Sequence, residues 1–266
     1  LGIELLSLFV TFNDESIKEM DISNTDFYEK MEKEGIPISS QPSVGDMLLT
    51  METILKEGND IVAVFLSSSM SGTFNNAYLI AQKLQDKYPD SKIKVIDSQT
   101  NSMQLGFAAI EGARLAKEGK SFEEVVSRVE DVVHSSRFIF IPENLDYLKK
   151  GGRIGAAETL IGNMLKLTPI LTVKDAETSV LRTVRTKKRA KAALIEKLLE
   201  DHNKYEVQEI AIHHINCLEE AIELEKELKE KIDVQIHISS IGPVIGLHVG
   251  PGAIGLAYYT KNRIED

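Results

Sequence analysis

Cysteine is nearly missing from this chain of 266 residues. Cys217 stands alone, so no internal disulfide can form, and no Cys-x-x-Cys pair or Cys/His cluster has zinc-site spacing. Alone, Cys217 reads as a small buried or half-buried residue. Basic charge is also short: 31 Lys and Arg face 41 Asp and Glu, a net charge of −10. That balance argues against a general nucleic-acid surface, which needs a basic footprint. No apolar run is long enough to span a bilayer, and no signal-peptide pattern is visible. A cytoplasmic protein without stable membrane insertion is therefore expected. The phosphate loops GxxxxGK[ST] and GxGxxG are absent, so a nucleotide site has no direct support. There is no internal repeat and no low-complexity linker. The chain opens on Leu1 rather than methionine, which reads as a truncation.

What is present is the profile of a globular protein with a sizeable core: 42% hydrophobic and 27% charged residues. The organising stretch is Leu66-Ser67-Ser68-Ser69-Met70-Ser71-Gly72-Thr73. Six apolar residues, Ile61 to Leu66, precede it without alternation, as in a strand buried on both faces of a parallel sheet. Phe74, Ala77, Tyr78, Ala81 and Leu84 follow at helical spacing. A hydroxyl-rich turn thus joins a buried strand to a helix, where free N–H groups and the helix dipole favour an anion. The same hydroxyls could simply cap the helix, although one cap needs only one of them.

Other elements follow the same logic. Leu5–Val10 reads as a strand, with polar residues after it, and Phe27–Met31 as a short helix ending near Gly35. Ser43 and Asp46 have capping-box spacing, Pro42 suits a first helical turn, and Val44 to Leu55 mark one helical face. Ile93–Ile96 is a strand running into a second polar end, Asp97–Ser102. Helices are expected over Leu105–Lys117 and Phe122–Val133, so this half alternates strand and helix around a parallel sheet. Near Ser136 the rhythm changes. Strands at Phe138–Ile141, Ile170–Val173, Val180–Arg185, Ile210–Ile215, Val234–Ile238 and Ile254–Tyr259 read as a mixed sheet. Helices are expected at Glu143–Lys150, from Arg153 through Leu167, at Lys187–Leu199 and at Leu218–Lys231. A Gly-rich segment, Ile241–Gly252, precedes the last strand. The expected fold is α/β in two domains. Residues 1–136 form a parallel-sheet three-layer α/β/α domain carrying the Ser-rich anion site, and residues 137–266 a second α/β domain with a mixed sheet.

Three polar clusters stand out: Ser39-Ser40-Gln41, Ser67–Thr73, and His248 among Gly246, Gly250 and Gly252. If the sheet is parallel, the first two open on the same side. His248 could equally be a local donor holding a turn. His213 and His214 alternate on a strand, so one is expected to face solvent, and His134 and His202 fall on helix surfaces. A Ser71–His248 hydrolase pair lacks the G-x-S-x-G elbow, and the turn holds too many equivalent hydroxyls to single out a nucleophile. These hydroxyls are better suited to holding an anion than to attacking a carbonyl.

On these residues the chain resembles the DegV family of bacterial fatty-acid-binding proteins. Ser39-Ser40-Gln41-Pro42-Ser43 is similar to its Thr-Ser-Gln-Pro-Ser motif, with Ser39 replacing the threonine, and Ser67–Thr73 to its Ser-Ser-x-x-Ser-Gly-Thr motif. Asp97-Ser98, Leu148–Ile154 and Gly242–Gly252 correspond to three further motifs, so the likeness runs through the whole chain. The family opens with a central strand ending in Asp-Ser-Thr, which is absent here. The resemblance implies a protein, not an enzyme, that holds one long-chain fatty acid such as palmitate between its domains. It would present the carboxylate to a fatty-acid kinase making acyl-phosphate for phospholipid synthesis. It implies no catalytic residue, metal or cofactor. It places Ser39 and Ser71 at the acid's head, with Ser40, Ser68, Gly72, Thr73 and His248 as further ligand-binding candidates and Arg153 as the partner contact. Candidate tunnel walls are Ile161, Met164, Leu165, Leu167, Ile170, Ile241, Val244 and Ile245. Two alternatives stay open: a kinase-like or hydrolase-like enzyme using Ser71 or His248, and a lipid sensor without a kinase partner.

Overall fold

The computed structural model describes residues 1–161 and 167–265. The chain begins with β1 (Phe9–Phe12), β2 (Glu15–Lys18), α1 (Asn24–Glu34) and β3 (Ile38–Ser40). These strands form an antiparallel sheet in the order β2-β1-β3, with Val10 opposite both Ile17 and Ser39. The expected strand at Leu5–Val10 is displaced towards Phe12, so that Val10 and Phe12 point into the core. Its two partners fall where only loop was expected. Both are short edge strands with largely exposed side chains, and an edge strand in water has no need of an apolar alternation.

Next come α2 (Val44–Lys56), β4 (Ile61–Phe65), α3 (Thr73–Lys87), β5 (Ile93–Asp97), α4 (Ser102–Lys117) and α5 (Phe122–His134). Ser43 caps α2, its Oγ accepting the Asp46 N–H at 2.9 Å, and Pro42 precedes the cap rather than entering the first turn. Ser121 and Glu124 form a full capping box on α5. β4 and β5 pair in parallel, with Phe65 opposite Asp97, so both polar strand ends leave the sheet on one side. Met47, Met51 and Leu55 of α2 pack with Ala77, Ala81 and Leu84 of α3 over this pair. Burying each of the larger side chains is worth about 1.5–3 kcal/mol.

The remainder comprises β6 (Ser136–Ile141), α6 (Asp146–Lys150), β7 (Thr168–Lys174), β8 (Glu177–Val184), α7 (Lys187–Tyr205), β9 (Val207–His214), α8 (Leu218–Lys229), β10 (Gln235–Ser240), α9 (Pro243–Val249) and β11 (Ile254–Thr260). Among the described residues six strands form one mixed sheet, order β10-β9-β11-β6-β7-β8, in which only β9 and β10 pair in parallel. Strand periodicity assigns its two faces. Ile139, Ile141, Ile170, Ile210 and Leu256 face α7 and α8. Phe138, Phe140, Leu171, Ala211 and Ala257 join a core shared with β1, α1 and α4. α4 packs on β4, β6 and β11.

Three expectations change here. The first part of the helix expected from Arg153 through Leu167 is a 3₁₀ turn over Gly155–Leu160, while residues 162–166, Met164 and Leu165 among them, lie outside the described residues. The Gly-rich segment contains α9, which opens on Pro243 at its first turn and stops at Gly250 with φ +85°. His213 and His214 are both buried, because β9 is an interior strand covered on both faces.

Candidate functional site

The ends of β4 and β5 are stitched together by backbone. The Ser67 N–H donates to Thr100 O at 2.8 Å and the Ser98 N–H to Phe65 O at 3.0 Å. The Asp97 carboxylate accepts the N–H groups of Ser68 and Gln99, which fixes both turns. Ser67, fully buried, donates its hydroxyl to Ala176 O at 2.6 Å. Ala176 lies in the two-residue turn between β7 and β8, where Asp175 and Ala176 both have positive φ, as a type I′ hairpin turn requires. Gly72 stands at the N-cap of α3 and has no side chain to offer; Ser71, one residue earlier, accepts the Thr73 N–H through Oγ at 3.3 Å and lies 2.8 Å from Thr73 Oγ1. The hydroxyls of this turn therefore divide. Ser67 and Thr73 are buried, whereas Ser71 borders a cavity.

Opposite the turn, β3 brings Ser39 against α9. Ser39 Oγ lies 3.0 Å from His248 Nε2. His248 Nδ1 is buried without a hydrogen-bond partner, packed so closely on Gly151 that a Cβ there would overlap it. The Arg153 guanidinium donates through Nε and Nη2 to Met70 O at 3.1 and 3.0 Å, and through Nη1 to Gly151 O at 2.7 Å. One arginine thus ties the Ser-rich turn to the end of α6. Burial, and then the nearby Arg153 charge, pushes the His248 pKa down to about 4, so the ring is neutral at pH 7. The Ser39 hydroxyl and His248 Nε2 share this bond, and which of them donates is set by the imidazole tautomer.

These groups surround a cavity of about 340 Å³. Ser39, Ser40, Gln41, Ser71, Gly72, His248 and Arg153 make its polar end. Phe138, Phe140, Leu148, Val173, Val244, Ile245 and Val249 make its apolar walls. Phe138, Phe140, Ile245 and Val249 also line a small adjoining space of about 10 Å³ that reaches His213, Ile215 and Ile241. Of the eight residues singled out from the sequence, six border the main cavity; Ser68 and Thr73 do not. Among the expected tunnel walls, Val244 and Ile245 line the cavity and Ile241 the adjoining space. Ile170 faces the opposite side of the sheet, Ile161 is 38% exposed, and neither Ile161 nor Leu167 borders either space.

Sequence reasoning missed Asn101, Phe138, Phe140, Leu148, Val173 and Thr178 as lining residues. Period-two alternation signals the strand positions among them, but only once the covered face of the sheet is known. The arrangement gives a hydroxyl-rich lining with one exposed arginine beside apolar walls. His248 pairs with Ser39 rather than Ser71, and its Nδ1 meets no carboxylate, so the oriented triad of a serine hydrolase is not assembled among the described residues. Among the described residues, no group of three or more His, Cys, Asp or Glu side chains is placed to hold a metal ion. No helix among them is long and apolar enough to cross a membrane.

A family model described as an uncharacterised protein, DegV family, matches residues 1–261. A DegV domain-containing protein of Clostridium acetobutylicum is 54% identical over 263 residues, covering 99% of this chain and 92% of the relative. Two solved structures share the fold. One, described as showing fatty acid binding, is a DegV family protein from Thermus thermophilus, with a TM-score of 0.88, 26% identity, and coverage of 97% of this chain and 92% of that one. The other is DegV, a fatty acid binding protein from Bacillus subtilis, with a TM-score of 0.86, 32% identity, and coverage of 96% and 90%.

Proposed function

The chain belongs to the DegV family, which includes proteins of known structure that bind fatty acids, and we propose that it holds one long-chain fatty acid and presents the carboxylate to a fatty-acid kinase. The observation that carries this reading is the two-ended cavity, hydroxyl-lined at one end and apolar at the other. Its volume of about 340 Å³ falls within the usual range of about 300–1,000 Å³ for small-molecule pockets. Burying an acyl chain gains about 0.8 kcal/mol per CH₂, or on the order of 10 kcal/mol for palmitate. That sum competes with association costs of about 4–15 kcal/mol, so head-group bonds decide the affinity.

In this reading Ser39 and Ser71 donate to the carboxylate. Ser40, Gly72 and His248 complete the head site, and Ser68 and Thr73 support it from beneath. The ligand lies between residues 1–136 and 137–266. Neutral donors hold an anion without the full grip of a buried salt bridge, which leaves one oxygen free for phosphoryl transfer. Ser40, Gly72 and Arg153 are exposed, which supports a head group lying at the mouth within a partner's reach. Arg153 then serves as the contact for the kinase or its phosphates.

Native mass spectrometry of the protein purified from bacterial cells tests the lipid assignment. A mass increment of a single long-chain acid per chain, lost on delipidation and regained with palmitate, is expected. An unliganded mass that palmitate does not change would contradict it. Radiolabel transfer from ATP to protein-bound acid by a fatty-acid kinase tests the presentation step.

A further inference from the structure

The helix that forms one wall of this cavity has no N-terminal cap of its own. The N-cap position of α9 is Gly242, which has no side chain to offer, and its first residue is Pro243, which has no N–H. The next amide, Val244 N–H, donates instead to Glu19 Oε1 at 2.9 Å, across 225 positions of sequence. Glu19 stands in the 3₁₀ turn after β2. Gly242 permits the approach, since a Cβ there would stand 2.8 Å from Glu19 Oε1. Tyr28 reinforces the junction: its hydroxyl donates to Ile241 O at 3.0 Å and packs so tightly on Gly246 that a Cβ there would overlap it.

The other end of α9 is held by the Ser39–His248 bond. Between these two ties, α9 turns Val244, Ile245, His248 and Val249 towards the cavity. Its placement therefore sets both an apolar wall and the imidazole beside Ser39. We infer that Glu19 is a positioning residue for ligand capture, a remote carboxylate cap that fixes α9 and through it His248. A negative charge at a helix N-terminus is electrostatically favourable, so the carboxylate aids the cap beyond the single hydrogen bond. Among the described residues no other side chain is bonded to the Val244 amide, so removing Glu19 leaves the Tyr28 contacts alone to hold this end of α9.

This inference rests on the fatty-acid reading for its ligand, and the test separates the two. Wild type, Glu19→Ala and Glu19→Gln are compared by palmitate titration calorimetry and by the imidazole ¹⁵N resonances of His248 without lipid. Glu19→Ala should lower palmitate affinity roughly tenfold or more, the scale of a lost bond to a charged acceptor. It should also move the His248 resonances. Glu19→Gln retains an acceptor oxygen and should stay within about threefold of wild type, a difference below one ordinary hydrogen bond. Unchanged affinity and unchanged His248 resonances in Glu19→Ala would overturn the inference, as would equal losses in Ala and Gln. If wild type itself binds no palmitate, the fatty-acid reading fails, and the lipid-free resonances still decide whether Glu19 positions His248.

Discussion

Ser39 Oγ and His248 Nε2 are 3.0 Å apart although 209 positions separate them in sequence. β3 and α9 meet here, and the bond crosses from the small antiparallel sheet to the part of the chain built on the six-stranded sheet. Gly151 sets its geometry from behind, because the imidazole rests on backbone where any side chain would intrude.

Gly151→Ala should therefore displace His248 and break its bond to Ser39. Gly151 has ordinary helical dihedrals, with φ −75°, so the backbone itself accepts alanine. The expected result is at least a tenfold loss of fatty-acid affinity, since a head-group donor is misplaced. Calorimetry with palmitate checks it, and equal affinity would show that the ring can yield without consequence.

Ser71→Ala removes two things at once. As acceptor of the first amide of α3 it should cost about 1 kcal/mol of stability, the scale of one ordinary hydrogen bond. As a donor to the carboxylate it should cost about 1.5–3 kcal/mol of binding. Denaturant melts and lipid titrations on the same preparation separate the two, and an affinity equal to wild type removes Ser71 from the head site.

Much of this was legible in the sequence, and the failures have physical causes. The strand, turn and helix around Ser67–Thr73 were readable because burial on both faces and a hydroxyl-rich turn leave local marks. The hairpin of β7 and β8 was readable for its spacing. β2 and β3 were not, since short exposed edge strands are held by the pairing of β1 rather than by their own pattern. α9 hid behind its glycines, although Pro243 just inside the start and Gly250 just past the end were the signal that could have found it. Ile170 was expected in the tunnel and Val173 was not, because the choice of face on β7 depends on which helices cover the sheet.

The histidines predict an acid-labile protein. Burial pushes His213, and burial with the Arg153 charge pushes His248, down to about 4, and burial also lowers His214. The unfolded chain then takes up protons from about pH 6.5 downwards that the folded chain refuses until about pH 4. Stability from these groups is fully present above about pH 6.5 and is lost as pH falls towards 4. Urea melts at pH 7.5, 5.5 and 4.5 should show falling midpoints, and a flat profile would count against neutral buried imidazoles.

Arg153→Ala should raise the His248 pKa, since one nearby positive charge is gone, while burial keeps it below the ordinary value. An NMR titration of the His248 ring reads this directly. The same variant should slow phosphorylation of bound acid by a kinase more than it weakens lipid binding. Loss of lipid with normal phosphorylation at saturating lipid would reverse the assignment.

A crystal structure of the palmitate complex tests the central claim most directly. The account predicts the carboxylate within about 3.2 Å of both Ser39 Oγ and Ser71 Oγ, ordinary hydrogen-bond reach. The acyl chain should run between Phe138, Phe140 and Ile245 towards Ile241. A carboxylate buried at the Phe138 end with the tail at the mouth, or lipid bound outside this cavity, would contradict it.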